Sequence, residues 1–91
     1  MMTCLEMIKL RSTETHEKVL KILRPIIRSA QSRDLVAIRM FRHGFIETDL
    51  CLHLYWKSDG SEPKFSSIGD QLVQVMKRYG LIDHSLWFEE K

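Results

Sequence analysis

The sequence predicts a small α+β fold, in which a four-stranded antiparallel sheet carries two helices on one face. Two observations favour this fold. Three segments have the alternating apolar residues of strands and a fourth is apolar on both sides, while two segments repeat apolar residues at helical spacing. Along the chain they read strand, helix, strand, strand, helix, strand. Because 91 residues can bury only a thin core, we expect a single domain over residues 1–91.

The first two elements are a strand and a helix. In TCLEMIKLR, residues 3–11, apolar residues occur at both even and odd positions and therefore on both faces of the strand. This pattern is typical of a central strand covered on both sides. Between His16 and Ala30, apolar residues recur at helical spacing and form one stripe. Pro25 lies inside this helix on its polar side, where water can bind the carbonyl of Lys21 that lacks a donor. We therefore expect one kinked helix and not two helices.

Two strands joined near Gly44 come next. The segments LVAIRMFRH and IETDLCLHLYW both alternate, and a turn with an odd number of residues keeps their apolar positions on one face. Gly44 can supply the left-handed conformation that a three-residue hairpin loop needs. The resulting register pairs Met40 with Thr48, Ile38 with Leu50, Val36 with Leu52 and Arg39 with Asp49. The last of these pairs predicts an ion pair across the two strands.

The last third of the chain predicts a loop, a helix and a final strand. Residues 57–65 collect Asp, Gly, Ser and Pro, which are typical of a solvated loop. The segment SSIGDQLVQVMKRYG carries an apolar stripe, with Ser67 and Asp70 in the positions of a capping box and Gly80 at the helix end. The segment DHSLWFEEK, residues 83–91, alternates as a short strand does.

This order of elements fits the split βαβ arrangement of the ferredoxin-like fold, and each helix has one apolar stripe, so both can cover the same face of the sheet. The strand residues expected beneath the helices are Val36, Ile38, Met40, Leu50, Leu52, Leu54, Leu86 and Phe88. On the opposite face, the predicted pocket or interface residues are Arg39, Phe41, Glu47, Asp49, Cys51, His53, Tyr55 and Trp87. This second set is too polar for a dry core and too aromatic for a wholly solvated surface.

A resemblance to a known superfamily rests on the order of three segments and on how polar and apolar residues divide between their two faces. The segments are LEMIKLR, LVAIRMFRHGFIETDLCLHLYW and LIDHSLWFEE. With them the chain resembles the dimeric α+β barrel superfamily, which includes antibiotic-biosynthesis monooxygenase-like domains and stress-responsive barrel domains. The resemblance implies a homodimer whose sheets stack around a small aromatic or hydrophobic ligand, with cofactor-independent monooxygenase-like activity. Such oxygenases commonly use an asparagine with a tryptophan and a histidine, and this sequence has no asparagine. An assembly face without ligand or catalysis is the alternative.

His53 is the candidate catalytic residue, because an imidazole titrates near neutrality and can act as a general base inside a closed barrel. The alternative is a histidine that a neighbouring carboxylate satisfies at an interface. Asp49, Cys51 and His53 alternate at a spacing from which strand residues sometimes reach one ion. Since Arg39 is expected opposite Asp49, a hydrogen-bonded network of Arg39, Asp49 and His53 is favoured over a metal site. Cys51 is interpreted as a buried, inert thiol, and His84 as a satisfied histidine either on the helix side or at a strand end.

Composition and charge argue against several functions. A net charge of +2 gives no support to nucleic-acid binding. The chain has no run of about 18 apolar residues that could cross a membrane, and its start lacks the pattern of a secretory signal. Two distant cysteines provide no disulfide framework and no paired metal motif. We expect a cytoplasmic homodimer with reduced thiols, a small-molecule ligand, no cofactor and no metal.

Overall fold

The structure is a computed structural model that describes residues 2–60 and 62–90. The elements in chain order are β1 (Met2–Ser12), α1 (His16–Ser29), β2 (Leu35–Arg42), β3 (Asp49–Ser58), α2 (Ser67–Met76) and β4 (Gly80–Phe88). This order confirms the predicted succession. Met1, Ser61 and Lys91, which the predicted domain, loop and last strand include, lie outside the described residues. Neither helix in the described parts of the chain has the length and apolar character to cross a membrane.

One antiparallel sheet holds the four strands in the order β2, β3, β1, β4. β1 is central and both helices pack on one face, so the predicted ferredoxin-like fold is confirmed. Beneath the helices, β1 buries Cys4, Glu6, Ile8 and Leu10, whereas Lys9 is exposed on the other face. The prediction that β1 is covered on both sides is therefore met on one side only within a single chain.

The core lies between the two helices and one face of the sheet. It consists of Ile8, Leu10, Val19, Leu23, Leu50, Leu52, Leu54, Leu72 and Met76. The predicted strand residues Ile38 and Met40 pack against it and are half-buried. α1 continues through Pro25, whose side chain is exposed, so the prediction of one helix is confirmed.

The predicted register of the hairpin between β2 and β3 is wrong by four residues, although its parity is right. Met40 lies opposite Leu52 instead of Thr48, and Ile38 lies opposite Leu54. The strands are therefore joined by a longer loop than the predicted turn. Parity survives because a shift by an even number of residues leaves every side chain on its original face.

The connecting loop, residues 43–48, is held by its own hydrogen bonds. His43 Nδ1 accepts the backbone N–H groups of the two residues after Gly44, each at 3.0 Å. The carbonyl of Glu47 accepts the backbone N–H of His16 at 3.2 Å, which ties the loop to the start of α1. Gly44 itself has no positive φ. These bonds stabilise the longer loop and explain why a tight turn does not form.

A β-bulge near the start of β2 corrects a second prediction. Leu35 lies opposite Trp56 and Ala37 opposite Tyr55, so β2 has one extra residue at this point. Val36, which was expected beneath the helices, is 59% exposed, and Leu35 packs against the core in its place. A bulge reverses the parity of the residues before it, and alternation alone does not reveal where one occurs.

The ends of α2 also differ from the prediction. Ser66 caps the helix and not Ser67, because the Ser66 Oγ accepts the N–H of Gly69 at 2.8 Å. The last helical residue is Met76, and Gly80 is the first residue of β4. A Cβ at Gly80 would collide with the backbone of β1, so the close pairing of β1 and β4 requires glycine there. β4 is therefore a strand of nine residues.

Candidate functional site

The face of the sheet opposite the helices, which we call the open face, has four cross-strand rows of three or four residues, and the pair of Thr3 and Lys57 lies beyond the first of them. In order, the rows are Ala37, Tyr55, Leu5 and Trp87; Arg39, His53, Met7 and Ser85; Phe41, Cys51, Lys9 and Asp83; and Asp49, Arg11 and Leu81. Apolar and aromatic side chains fill the first row, whereas the last two rows hold four charged groups. The open face therefore has an apolar row towards one end, next to Lys57, and a charged end with both signs of charge at the other.

A groove of about 490 Å³ lies at the charged end of the open face. Its lining residues are Lys9, Leu10, Arg11, Phe41, Arg42, His43, Ile46, Asp49, Leu50, Cys51, Leu81, Ile82 and Asp83. The loop of residues 43–48 contributes to one wall, because the chain leaves the sheet there. A volume of this size falls within the range of small-molecule sites.

His53 lies one row away from the groove and contacts other rings. Its ring centroid is 4.6 Å from that of Phe41, and its Nδ1 is 3.2 Å from the Tyr55 hydroxyl oxygen. The guanidinium of Arg39 lies over the Tyr55 ring, 5.7 Å from its centroid. When Nδ1 carries the proton and donates it to the hydroxyl oxygen, Nε2 is free to accept another proton.

Two titratable groups near the groove have shifted pKa values. Burial lowers the pKa of His53, and the charge of Lys9 lowers it further. Burial raises the pKa of the Cys51 thiol, and Lys9 offsets part of that effect. Both side chains are therefore neutral near neutral pH. The imidazole can accept a proton, while the thiol is a weak nucleophile.

The predicted contacts of Asp49 are wrong. Arg39 lies opposite His53, because the register of the hairpin differs from the prediction by four residues. Asp49 lies opposite Arg11 instead, and its Oδ2 is 3.6 Å from the Arg11 Nε. The predicted network of Arg39, Asp49 and His53 is thus replaced by two separate contacts. Among residues 2–60 and 62–90, no group of three His, Cys, Asp or Glu side chains could hold a metal ion.

Most predicted site residues share the open face. These are Arg39, Phe41, Asp49, Cys51, His53, Tyr55 and Trp87. Trp87 lies on the edge strand β4, away from the groove, and its Nε1 donates to the Ser85 hydroxyl at 2.9 Å. Glu47 does not belong to this face, because β3 begins at Asp49 and Glu47 lies in the loop. The Glu47 carbonyl lies 2.7 Å from Nδ1 of His16.

The predicted site set omitted every groove residue of β1 and β4, and those that lie in the rows of the open face are Lys9, Arg11, Leu81 and Asp83. They lie on β1 and β4, whereas the predicted set came almost entirely from β2 and β3. Strand order contained the missing signal, because the ferredoxin-like topology places β1 beside β3. The odd-numbered residues of β1 must then share a face with Cys51.

A second polar group, which we call the helix-side cluster, consists of Glu6, Trp56, Ser66 and His84. Glu6 is fully buried. Its Oε1 accepts hydrogen bonds from Trp56 Nε1 at 3.0 Å and from Ser66 Oγ at 2.6 Å. Its Oε2 accepts the Ser66 N–H at 3.3 Å and lies 2.7 Å from His84 Nε2. The ring of Phe65 stacks on His84 at a centroid distance of 3.6 Å.

The helix-side cluster has a structural role. Across the described residues, every buried side-chain nitrogen or oxygen has a hydrogen-bond partner. Ser66 caps α2, while the other three members of the cluster belong to β1, β3 and β4, so Glu6 fastens the start of the helix to three strands. The interpretation of His84 as a satisfied histidine on the helix side is confirmed.

Comparisons with known proteins address the fold. No protein-family model matches the sequence, and no curated protein matches it. A crystal structure from Bordetella bronchiseptica, described as that of a proposed antibiotic biosynthesis monooxygenase, is similar with a TM-score of 0.61 and 12% sequence identity. The match covers 100% of this chain and 98% of that one. At this identity the similarity shows the fold alone, and it agrees with the ferredoxin-like α+β fold that the sequence predicted.

Proposed function

We propose that this protein is a homodimer in which two open faces stack and enclose a small aromatic or hydrophobic molecule in the groove. The observation that carries the proposal is the apolar surface of the open face. Leu81 is 75% exposed, Trp87 58% and Phe41 45%, although each belongs to a regular strand. Several large apolar side chains exposed on one face of a sheet favour an interaction or ligand site there.

The total exposed area supports a second copy of the chain as the partner. A monomeric protein of 10.8 kDa exposes about 5500 Å², whereas this chain exposes 6450 Å². The excess of about 900 Å² is close to the roughly 800 Å² that each partner buries in an interface of standard size. The chain is also a thin slab with a shortest extent of 18 Å, as expected for a sheet with helices on one side only.

A second sheet over the open face would convert the groove into an enclosed cavity. Phe41, Ile46 and Leu81 supply apolar walls, and the neutral thiol of Cys51, on β3, lines the same groove. The ring of His53 extends the aromatic surface from Phe41 along the sheet. Apolar walls with a few polar groups are typical of sites for small organic molecules, and flat rings stack well on such surfaces.

A monooxygenase-like reaction in this cavity would require a proton acceptor, and His53 is our candidate. Its lowered pKa keeps the ring neutral near neutral pH, so Nε2 can take a proton from a hydroxyl group of the bound molecule. We expect His53→Ala to abolish turnover of any substrate found for the protein while the molecule still binds. Turnover that is unchanged in this variant would remove His53 from the proposal.

A second function, assembly without a ligand, is favoured by one observation. Phe45 is 97% exposed in the loop beside the groove, where a partner subunit could bury it. A phenyl ring inserted into the partner's groove would leave less space for another molecule. We expect Phe45→Ser to weaken the dimer strongly only if this second function is correct.

Molar mass in solution tests the dimer. We expect light scattering to give twice 10.8 kDa for the wild type over a range of concentrations. Trp87→Lys should shift the protein towards the monomer, because an ammonium group would be buried between the sheets. Val36→Lys is the matched control, since Val36 is 59% exposed but lies at the bulge, outside the four rows. A wild-type monomer at all concentrations would contradict the proposal.

Binding of the neutral fluorophore N-phenylnaphthylamine tests the groove. Its fluorescence rises in apolar surroundings, so we expect saturable enhancement with the wild-type dimer. Leu81→Asp should abolish the enhancement by placing a carboxylate against an apolar wall, and Val36→Asp should leave it unchanged. A stable dimer that binds no fluorophore would favour the assembly function.

A further inference from the structure

We propose that the natural ligand of the groove is an aromatic anion whose negative group is held by Lys9. This ligand class rests on the proposed function, because it occupies the same groove. Three features support it: the position of Lys9 at the centre of the sheet, its lack of an ion-pair partner, and the apolar walls on either side.

Lys9 lies on the central strand β1, between Cys51 of β3 and Asp83 of β4. A side chain at this position rises from the middle of the groove and not from its rim. Its charge also acts on the two titratable neighbours of the groove, because it lowers the pKa of both Cys51 and His53. A negative group bound above these residues would therefore meet the positive field of Lys9.

Lys9 has no carboxylate within ion-pair distance among the described residues, although Asp83 lies directly across from it. Arg11, in the next row, differs because Asp49 already pairs with it at 3.6 Å. The third cation of the groove is Arg42, at the end of the edge strand β2. Lys9 is thus the central cation that remains available for a ligand.

The apolar part of the ligand is indicated by the walls around Lys9. Phe41 is in the same row, and Leu81 is in the adjacent row beside Arg11. A flat ring between these side chains would bring an attached carboxylate, phenolate or sulfonate to the Lys9 ammonium. Closure by the second copy would exclude water, which strengthens the attraction and makes an unpaired lysine unfavourable.

A matched pair of fluorophores tests this ligand class. Anilinonaphthalene sulfonate is N-phenylnaphthylamine with an added sulfonate, so the two probes differ by one negative group. We expect the sulfonate to bind the wild type about tenfold more tightly than the neutral probe. Lys9→Met should remove this preference while leaving the affinity for the neutral probe unchanged, since methionine keeps the apolar stem.

Two further variants serve as controls. Lys57→Met removes an exposed lysine of β3 that is far from the groove, and this variant should leave the preference for the sulfonate unchanged. Asp83→Asn removes the carboxylate across from Lys9 and should tighten binding of the sulfonate by two- to threefold, about the effect of one weak surface charge pair. Light scattering on each variant shows that the dimer is retained.

The outcomes separate the two proposals. Equal affinities of the wild type for both probes, or a preference that persists in Lys9→Met, would overturn the role of Lys9 and leave the groove as a binding site. Failure of both probes to bind the wild-type dimer would overturn the groove itself. If Lys9→Met does not fold, Lys9→Gln gives the same test, because it also removes the charge.

Discussion

Glu6 and Lys9 lie three residues apart on β1 and face opposite sides of the sheet. The carboxylate of Glu6 is fully buried and has four contacts with Trp56, Ser66 and His84. Lys9 is exposed and, within the described residues, has no ion pair. The main difference between the two side chains is that Glu6 is buried among partners of its own chain, whereas Lys9 is exposed.

This difference separates a structural polar site from one that is available for binding. A buried charge whose partners all belong to the chain stabilises one arrangement of those partners, and removal of one member is costly. A charge without a partner contributes little to stability, but it can meet a complementary group on a ligand. We therefore expect substitutions of Glu6 to affect folding and substitutions of Lys9 to affect binding.

The largest effect is expected for Glu6→Leu. This substitution leaves the Trp56 indole, the Ser66 hydroxyl and the His84 ring without their common acceptor. We expect the free energy of unfolding to fall by about 3–5 kcal/mol, because several buried hydrogen-bonding groups lose their partner at once. Urea denaturation, monitored by circular dichroism, measures this change.

Lys9→Leu is the control on the opposite face of the same strand. Its free energy of unfolding should remain within about 0.5 kcal/mol of the wild type, as for most surface substitutions. If the two variants lose similar stability, the contrast between the two faces of β1 is wrong.

A smaller loss of stability is expected for Gly69→Ala. In a helix, alanine is usually favoured over glycine by about 1 kcal/mol. At this position a Cβ would collide with the Glu6 carboxylate, so we expect a loss of about 1–3 kcal/mol by thermal or urea denaturation. Gly44→Ala is the control, because nothing lies within 4 Å of a Cβ there.

Removing the carboxylate provides a second check on this collision. In a Glu6→Ala background, Gly69→Ala should destabilise the protein much less, because the two side chains no longer compete for the same space. Additive effects of the two substitutions would show that the helix start is not packed on Glu6.

The order of elements and the faces of most strands were predictable, since both depend on local periodicity. The positions of Ile38, Met40 and Leu52 beneath the helices follow from alternation alone. Their pairing partners did not follow, because register depends on the length of the loop at residues 43–48, and this loop is stabilised by contacts with α1. The bulge at Val36 was unpredictable for a similar reason: an extra residue leaves no mark on composition.

The candidate site was predicted only in part. The residues of β3 were found because their alternation is strong, and Cys51 and His53 do lie in or beside the groove. Lys9 and Asp83 were missed because the site is assembled across strands that are distant in sequence. The role of Glu6 was also missed, since its partners Trp56 and Ser66 are 50 and 60 residues away.

A smaller effect is expected on the titration of His53. Following the ring protons by NMR should give a pKa below 6.5 for the wild type, because burial and the charge of Lys9 both disfavour the imidazolium. Lys9→Met should raise this pKa but not restore it fully, since burial is the larger cause. Lys57→Met should leave it unchanged.

The lowered pKa of His53 also determines whether the free energy of unfolding rises or falls with pH. Because the unfolded chain has the higher pKa at this residue, it binds the proton first as the pH falls below about 6.5. The contribution of His53 to stability should therefore decrease with falling pH until the pKa of the folded state is passed. A His53→Phe variant that retains the same pH dependence would assign it to other groups.

The smallest effect is expected for Arg11→Met, which removes the exposed ion pair of β1 and leaves the buried contact between Glu6 and His84 in place. Arg11 pairs with Asp49 at 3.6 Å, but the arginine side chain is 73% exposed, so we expect a loss of at most about 1 kcal/mol. This loss should disappear in about 1 M salt, which screens exposed charges. The cost of Glu6→Leu should persist in the same salt, because the contact between Glu6 and His84 is buried. A similar salt dependence for both variants would mean that burial is not what separates the two faces of the strand.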